Sequence, residues 1–155
     1  MIEAVADLWT VPAQLRCITT NGFVKKNGCA VMGRGCAKQA LNRYPLLNQQ
    51  LGSQIKAYGN TVRLLNLPTP GEYLIAFPVK HNWWEQADLS LIEQSAKRLR
   101  ELMDDGFDNG WPTDDLEAIC AVPRPGCGNG GLNWDEVRPV IEPYFDDRFV
   151  VVTLA

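Results

Sequence analysis

Val122-Pro123-Arg124-Pro125-Gly126-Cys127-Gly128-Asn129-Gly130-Gly131-Leu132-Asn133-Trp134 cannot be helix or strand throughout, because two prolines and four glycines punctuate it. Its flanks give it meaning. Upstream, Leu116–Val122 reads as a buried strand. Downstream, Trp134, Val137, Ile141, Tyr144 and Phe145 recur at helical spacing, with Asn133 and Glu136 placed as a cap. A glycine loop between strand and helix sets backbone N–H groups at the strand end, where they can surround an anion; glycine permits the positive φ and close approach this needs. The discordant residue is Pro139, which removes a helix hydrogen bond at a cost of about 3 kcal/mol.

The same order recurs nearer the amino terminus. Ile2–Leu8 and Leu15–Thr19 read as strands, and the polar, glycine-rich segment Asn21–Gly35 ends in Gly33-Arg34-Gly35. Cys36–Tyr44 then has helical composition and stops before Pro45, with a further helical piece from Leu46 to Tyr58. Thr61–Leu67 and Tyr73–Phe77 are strand-like, bounded by Gly59-Asn60, Pro70-Gly71 and Pro78. The clearest helix is Leu89–Met103, where Ile92, Ala96, Leu99, Leu102 and Met103 share a face; Asp88 or Ser90 can cap it, and the acidic loop Asp104–Asp115 ends it. Phe149–Leu154 is a closing β-branched strand. Alternating strands and helices indicate an α/β fold with strands at least partly parallel. No repeat or linker divides residues 1–155, which are expected to form one domain.

Composition bounds the function. The 155 residues are 46% hydrophobic and 21% charged, as in a globular protein rather than a disordered or fibrous one. No apolar run approaches the roughly 20 residues of a membrane span, and Met1-Ile2-Glu3-Ala4 does not open a secretory signal, so a cytoplasmic location and no membrane partner are expected. Cys17, Cys29, Cys36, Cys120 and Cys127 form no CxxC pair, which argues against structural zinc and against a disulfide framework. Net charge is −3, yet residues 1–80 carry nine Lys or Arg against three Asp or Glu, while residues 81–155 carry six against fifteen. A basic half in an acidic chain fits a local anion site or a solvated face better than a long polyanion track. The first glycine loop lacks the third glycine of GxGxxG and no GK[ST] follows either loop, so neither is a Rossmann or P-loop motif.

Ala30-Val31-Met32-Gly33-Arg34-Gly35-Cys36-Ala37-Lys38-Gln39 resembles the first phosphate loop of macrodomains, and the 122–134 stretch resembles the second, with Asp135–Pro143 extending the match. The similarity covers nearly the whole chain and is nearest to the branch of the DarG antitoxins and the terminal ADP-ribose protein glycohydrolase. Relatives carry proline where this chain has Pro139. The resemblance implies a three-layer α/β/α fold with a central mixed sheet and a cleft that holds ADP-ribose, with no further cofactor and no metal. It places Asp7 and its neighbour Leu8 at adenine, Asn21 at the distal ribose, and Met32, Gly33, Arg34, Gly35, Gly126, Cys127, Gly128, Asn129, Gly130, Gly131 and Leu132 around the diphosphate. Without it, Asp7 would read as a turn or cap residue and Asn21-Gly22 as a turn.

Lys80 matches the catalytic lysine of this branch and stands just beyond the strand-like run. As a free amine it can attack the anomeric carbon of the distal ribose through a ring-opened Schiff base; protonated, it stabilises charge or binds phosphate. His81, the only histidine, and Trp83 are candidate substrate contacts, His81 with an acid–base role beside Lys80 or a capping role as the alternatives and Trp83, with Trp84, either stacking on a base or anchoring a lid or helix. Two departures bear on substrate. Gly130 stands where the terminal ADP-ribose protein glycohydrolase has an aspartate, which favours the DarG form, and Phe23–Asn27 lengthens the first loop. The expected activity is therefore an ADP-ribosyl glycohydrolase acting on a modified nucleotide or DNA, thymidine-linked first. The alternatives are a non-catalytic ADP-ribose reader, an ADP-ribose 1″-phosphate phosphatase and an O-acetyl-ADP-ribose deacetylase. The implied partners are ADP-ribosylated nucleic acid and a cognate ADP-ribosyltransferase toxin, with the protein itself a monomer.

Overall fold

The computed structural model describes residues 1–69, 71, 73–107 and 118–154. Its strands are β1 (Ile2–Val5), β2 (Leu15–Asn21), β3 (Arg63–Leu65), β4 (Tyr73–Lys80), β5 (Cys120–Pro123) and β6 (Phe149–Thr153). The helices are α1 (Gly35–Arg43), α2 (Leu47–Tyr58), α3 (Leu89–Asp105) and α4 (Trp134–Ile141), with a 3₁₀ turn at Gly128–Gly130. The strands form one sheet in the order β1-β6-β5-β2-β4-β3. β3 runs antiparallel to β4 and the other pairings are parallel, so the sheet is mixed.

Alternation along the central strands builds a core on each face of the sheet. On one face, Leu15 and Cys17 of β2 and Ile75, Phe77 and Val79 of β4 bury with Ile92, Ala96 and Leu99 of α3 and Val137 and Ile141 of α4. On the other, Ile18 of β2 and Leu74 and Ala76 of β4 bury with Ala37 and Ala40 of α1 and Leu47 and Leu51 of α2. Helix pairs cover both faces, giving the three-layer α/β/α arrangement. β2, β4 and β5 lie side by side and parallel, so the chain leaves all three at the same edge. That edge is where open α/β sheets hold ligands.

Several boundaries differ from the sequence expectation. β1 ends at Val5 because Asp7 starts a turn: its Oδ1 accepts from Trp9 N at 2.8 Å and its carbonyl accepts from Val11 N at 3.0 Å. Lys80 is the last residue of β4 rather than a residue beyond it. Asp88, not Ser90, caps α3, its Oδ1 accepting from Ser90 N at 2.9 Å. Pro139 lies inside α4, where burial of Val137 and Ile141 at about 1.5–3 kcal/mol each offsets the lost hydrogen bond. The acidic loop expected from Asp104 starts later, because α3 runs on to Asp105; its part beyond Phe107 and the start of the strand expected at Leu116 lie outside the described residues.

Candidate functional site

The connections that follow β2, β4 and β5 enclose a cleft of about 1050 Å³, at the upper end of the range for small-molecule sites. A register shift between Thr20 and Asn21 in the β2–β4 ladder sets Asn21 directly beside Lys80. Both side chains line the cleft. Asn21 is committed to shaping the first loop: Nδ2 donates to Val31 O at 3.0 Å and Oδ1 accepts from Phe23 N at 3.0 Å. Each atom keeps one further hydrogen-bonding position.

Lys80 joins the cleft wall to both neighbouring connections. Its Nζ donates to Asn129 O of the second glycine loop at 3.2 Å and to Trp83 O at 3.4 Å. Its own carbonyl accepts from Asn60 Nδ2 at 2.9 Å and Gly22 N at 3.2 Å, fixing the strand end from which the side chain projects. His81, the next residue, is not in the cleft wall; its Nε2 lies 2.8 Å from Asp88 Oδ2. That hydrogen bond is the largest influence holding the Asp88 carboxyl below its ordinary range.

The two glycine loops work by different means. The first delivers the amino end of α1 to the cleft, through Gly35, Cys36 and Ala37. No side chain caps α1 and its first turn holds no acidic residue, so the helix end that lines the cleft keeps uncapped N–H groups and the positive end of its dipole. The second instead uses its own peptides. The amino end of α4 carries Asp135 and Glu136 and opens away from the cleft, into a smaller hollow with Arg124 and Asn133. Its neighbours set the loop's shape. Gly126 has φ +74° and a Cβ there would lie 2.7 Å from Ile92 Cδ1. The connection after β4 is stapled to this loop by Ala87 N donating to Gly130 O at 2.9 Å and Gln86 Nε2 to Gly131 O at 3.2 Å.

Of the expected residues, Asn21, Met32, Gly33, Arg34, Gly35, Lys80, Trp83, Gly126, Cys127, Asn129, Gly130 and Gly131 come together in the cleft wall. Asp7, Leu8, Gly128, Leu132 and His81 are not part of it. Leu8 is buried with Ala121 and Val152, and Leu132 packs against the main core. Asp7 is exposed in the turn just after β1, on the sheet edge where the cleft opens but beyond its wall. The sequence reading omitted Thr19, Thr20, Cys36, Arg124, Glu85 and Gln86 from the candidates, although all six line the cleft. Arg124 lay within the quoted stretch and was legible; Gln86 is tied to the second loop by its bond to Gly131 O, and Glu85 stands beside it. Lys25, Arg34, Lys80 and Arg124 against Glu85 leave the wall positively charged. Burial pushes the Cys127 thiol up, so that side chain is neutral wall.

No protein-family profile matches the chain. Among solved structures, the macrodomain of Mycobacterium tuberculosis DarG superimposes with a TM-score of 0.75 at 22% identity, covering 99% of this chain and 97% of that one. The chain has the macrodomain fold. The macrodomain of Thermus aquaticus DarG gives a TM-score of 0.72 at 23% identity, with the same coverage. A Thermosipho africanus DarTG structure in complex with ADP-ribose gives 0.73 at 21% identity, covering 96% of this chain and 40% of that one. In sequence, the chain is 29% identical, over an alignment of 129 residues that covers 77% of it, to proteins named DNA ADP-ribosyl glycohydrolase from Mycobacterium tuberculosis and Mycobacterium bovis. The match spans 33% of those relatives.

Proposed function

We propose that this macrodomain is an ADP-ribosyl glycohydrolase that frees ADP-ribose from a nucleotide in DNA, with thymidine as the first linkage to test. The observation that carries the reading is Lys80: its Nζ is held at the junction of β4 and the second glycine loop, beside Asn21, within a positively charged cleft. The similarity to proteins named for this activity supports it.

In this reading the diphosphate rests between the amino end of α1 and the peptides of Gly126–Gly131, which supply N–H donors without a metal. Asp7 accepts from the adenine amino group through the oxygen its turn leaves free, with Leu8 behind it. Asn21 orients the distal ribose with its remaining amide positions. Lys80 acts at C1″. As nucleophile, its amine forms a C–N bond there while the bond to the nucleobase breaks, and the base leaves with a proton. Ring opening gives a Schiff base, and water then releases ADP-ribose and restores the amine. As a cation, it would instead stabilise charge on the departing base. A cognate ADP-ribosyltransferase toxin is the proposed counterpart, supported by the DarTG neighbour.

The test is release of ADP-ribose from thymidine-linked ADP-ribosyl single-stranded DNA by the unmodified protein and by Lys80→Ala, with free ADP-ribose binding measured for both. Release should fall at least about 100-fold in the variant while ADP-ribose still binds. Binding by both with release by neither would sink the reading and leave an ADP-ribose reader. Release of phosphate or acetate from the corresponding 1″-phosphate or O-acetyl compounds, without release from DNA, would assign the site to ester chemistry.

A further inference from the structure

The mouth of the cleft carries a surface that glycoside cleavage does not use. Phe23 and Trp84 meet edge to face with centroids 5.3 Å apart, and Trp84 meets Trp83 likewise at 5.5 Å. The two indoles are nevertheless 59% and 51% exposed, for Trp84 and Trp83 respectively. Packing on one another fixes their orientation while much of each ring stays in water, an unusual state for groups that bury whenever a core is within reach. Trp83 O also accepts from Lys80 Nζ, so the aromatic rim begins at the candidate catalytic group.

A basic flank continues from it. Directly after Phe23, the chain makes a small hairpin in which Val24 bridges Ala30 and Lys25 N donates to Cys29 O at 2.9 Å. This hairpin displays Lys25 and Lys26 to solvent. It is seated on α2 through Ala30 N donating to Asn48 O at 2.9 Å, and a side chain at Gly52 would collide with the Gly28 carbonyl. The seat brings exposed Lys56 alongside, its Nζ 3.7 Å from where a Gly28 Cβ would stand. None of the three lysines forms an ion pair among the described residues.

Stacking faces beside unpaired cations match a polyanion whose bases are free to stack. Duplex DNA offers the charge but hides the base faces, and an acidic peptide would satisfy the lysines while leaving the indoles bare. We propose that Phe23, Trp83 and Trp84 together with Lys25, Lys26 and Lys56 form a track for unpaired nucleic acid, holding the nucleotides that flank the modified one. The proposal rests on reading the cleft as an ADP-ribose site, and it makes the protein a reader of the strand as well as of the modification.

The test uses fluorescence anisotropy of a labelled, unmodified oligothymidylate of about ten nucleotides, within the span of common single-strand sites. The unmodified protein should bind it, Trp84→Ala should weaken binding at least about fivefold, and Trp84→Phe should recover most of the loss. Lys26→Ala with Lys56→Ala should flatten the slope of log affinity against log salt by about 1.4, two single-strand phosphate contacts. On hydrolysis, Trp84→Ala should cost at least about five times more on an ADP-ribosylated oligonucleotide than on the ADP-ribosylated mononucleotide. No oligonucleotide binding, equal affinity for the duplex, indifference to both sets of substitutions, or equal losses on the two substrates would overturn the track. Because oligonucleotide binding is read without turnover, failure of the track is distinguishable from failure of the glycohydrolase reading, which Lys80→Ala reports.

Discussion

Gly130 shows how one missing side chain shapes this site. A Cβ at that position would lie 2.9 Å from Ala87 Cβ, and the Gly130 carbonyl accepts from Ala87 N at 2.9 Å. The second loop and the connection after β4 are therefore in contact at the position where the resemblance to the terminal ADP-ribose protein glycohydrolase puts an aspartate. Gly130→Asp should not install a working acid; it should push the two segments apart and break their hydrogen bond. The expected loss is about 1–3 kcal/mol in stability, read by urea unfolding, together with weaker ADP-ribose binding. Unchanged stability with enhanced turnover would show that the loop has room to spare.

Among elements, β4 and α3 do the most to hold the site. Lys80 ends β4, and its carbonyl is pinned by Asn60 and Gly22. Farther back, buried Ser95 of α3 donates to Pro78 O at 2.8 Å, locking the helix to the same strand end. The amino end of α3 depends on Asp88, which caps the helix and meets His81. Because the Asp88 carboxyl is held below its ordinary range, mainly by His81, its contribution is fully present above that range. It is lost as pH falls through the folded-state value. Asp88→Asn keeps a capping oxygen and removes the charge, so it should lower the Tm at neutral pH by an amount that shrinks on acidification. A deficit constant from neutral to strongly acidic pH would place the contribution in the cap alone.

At the scale of the molecule, a chain of net charge −3 gathers Lys25, Arg34, Lys80 and Arg124 around one cleft, with Glu85 the one carboxylate among its described lining residues. Raising ionic strength from about 0.05 to 0.5 M should therefore weaken ADP-ribose binding several-fold, measured by calorimetry, whereas salt-independent affinity would show that neutral peptide donors do the binding. Much of this arrangement was legible beforehand. Hydrophobic pattern is a local property, so the short apolar runs Leu15–Thr19 and Tyr73–Phe77, the latter bounded by Pro70-Gly71 and Pro78, and the helical face of Leu89–Met103 marked strands and helix from neighbours alone. The glycine runs marked the loops for the same reason, since a positive φ is a demand on a single residue. Pairing across the sheet is not local. The Thr20/Asn21 register shift that puts Asn21 beside Lys80, the staple that brings Gln86 to Gly131, and the seating of Lys56 beside the 24–30 hairpin each join residues far apart in the chain. The same holds for the direction of each glycine loop. Both follow a strand and precede a helix, yet α1 opens into the cleft and α4 does not, because the 3₁₀ turn at Gly128–Gly130 and the Cys127–Leu132 bridge turn the chain before α4 begins. Residue order thus determined which segments are strands, helices and anion loops, while packing between distant segments determined which of their side chains meet.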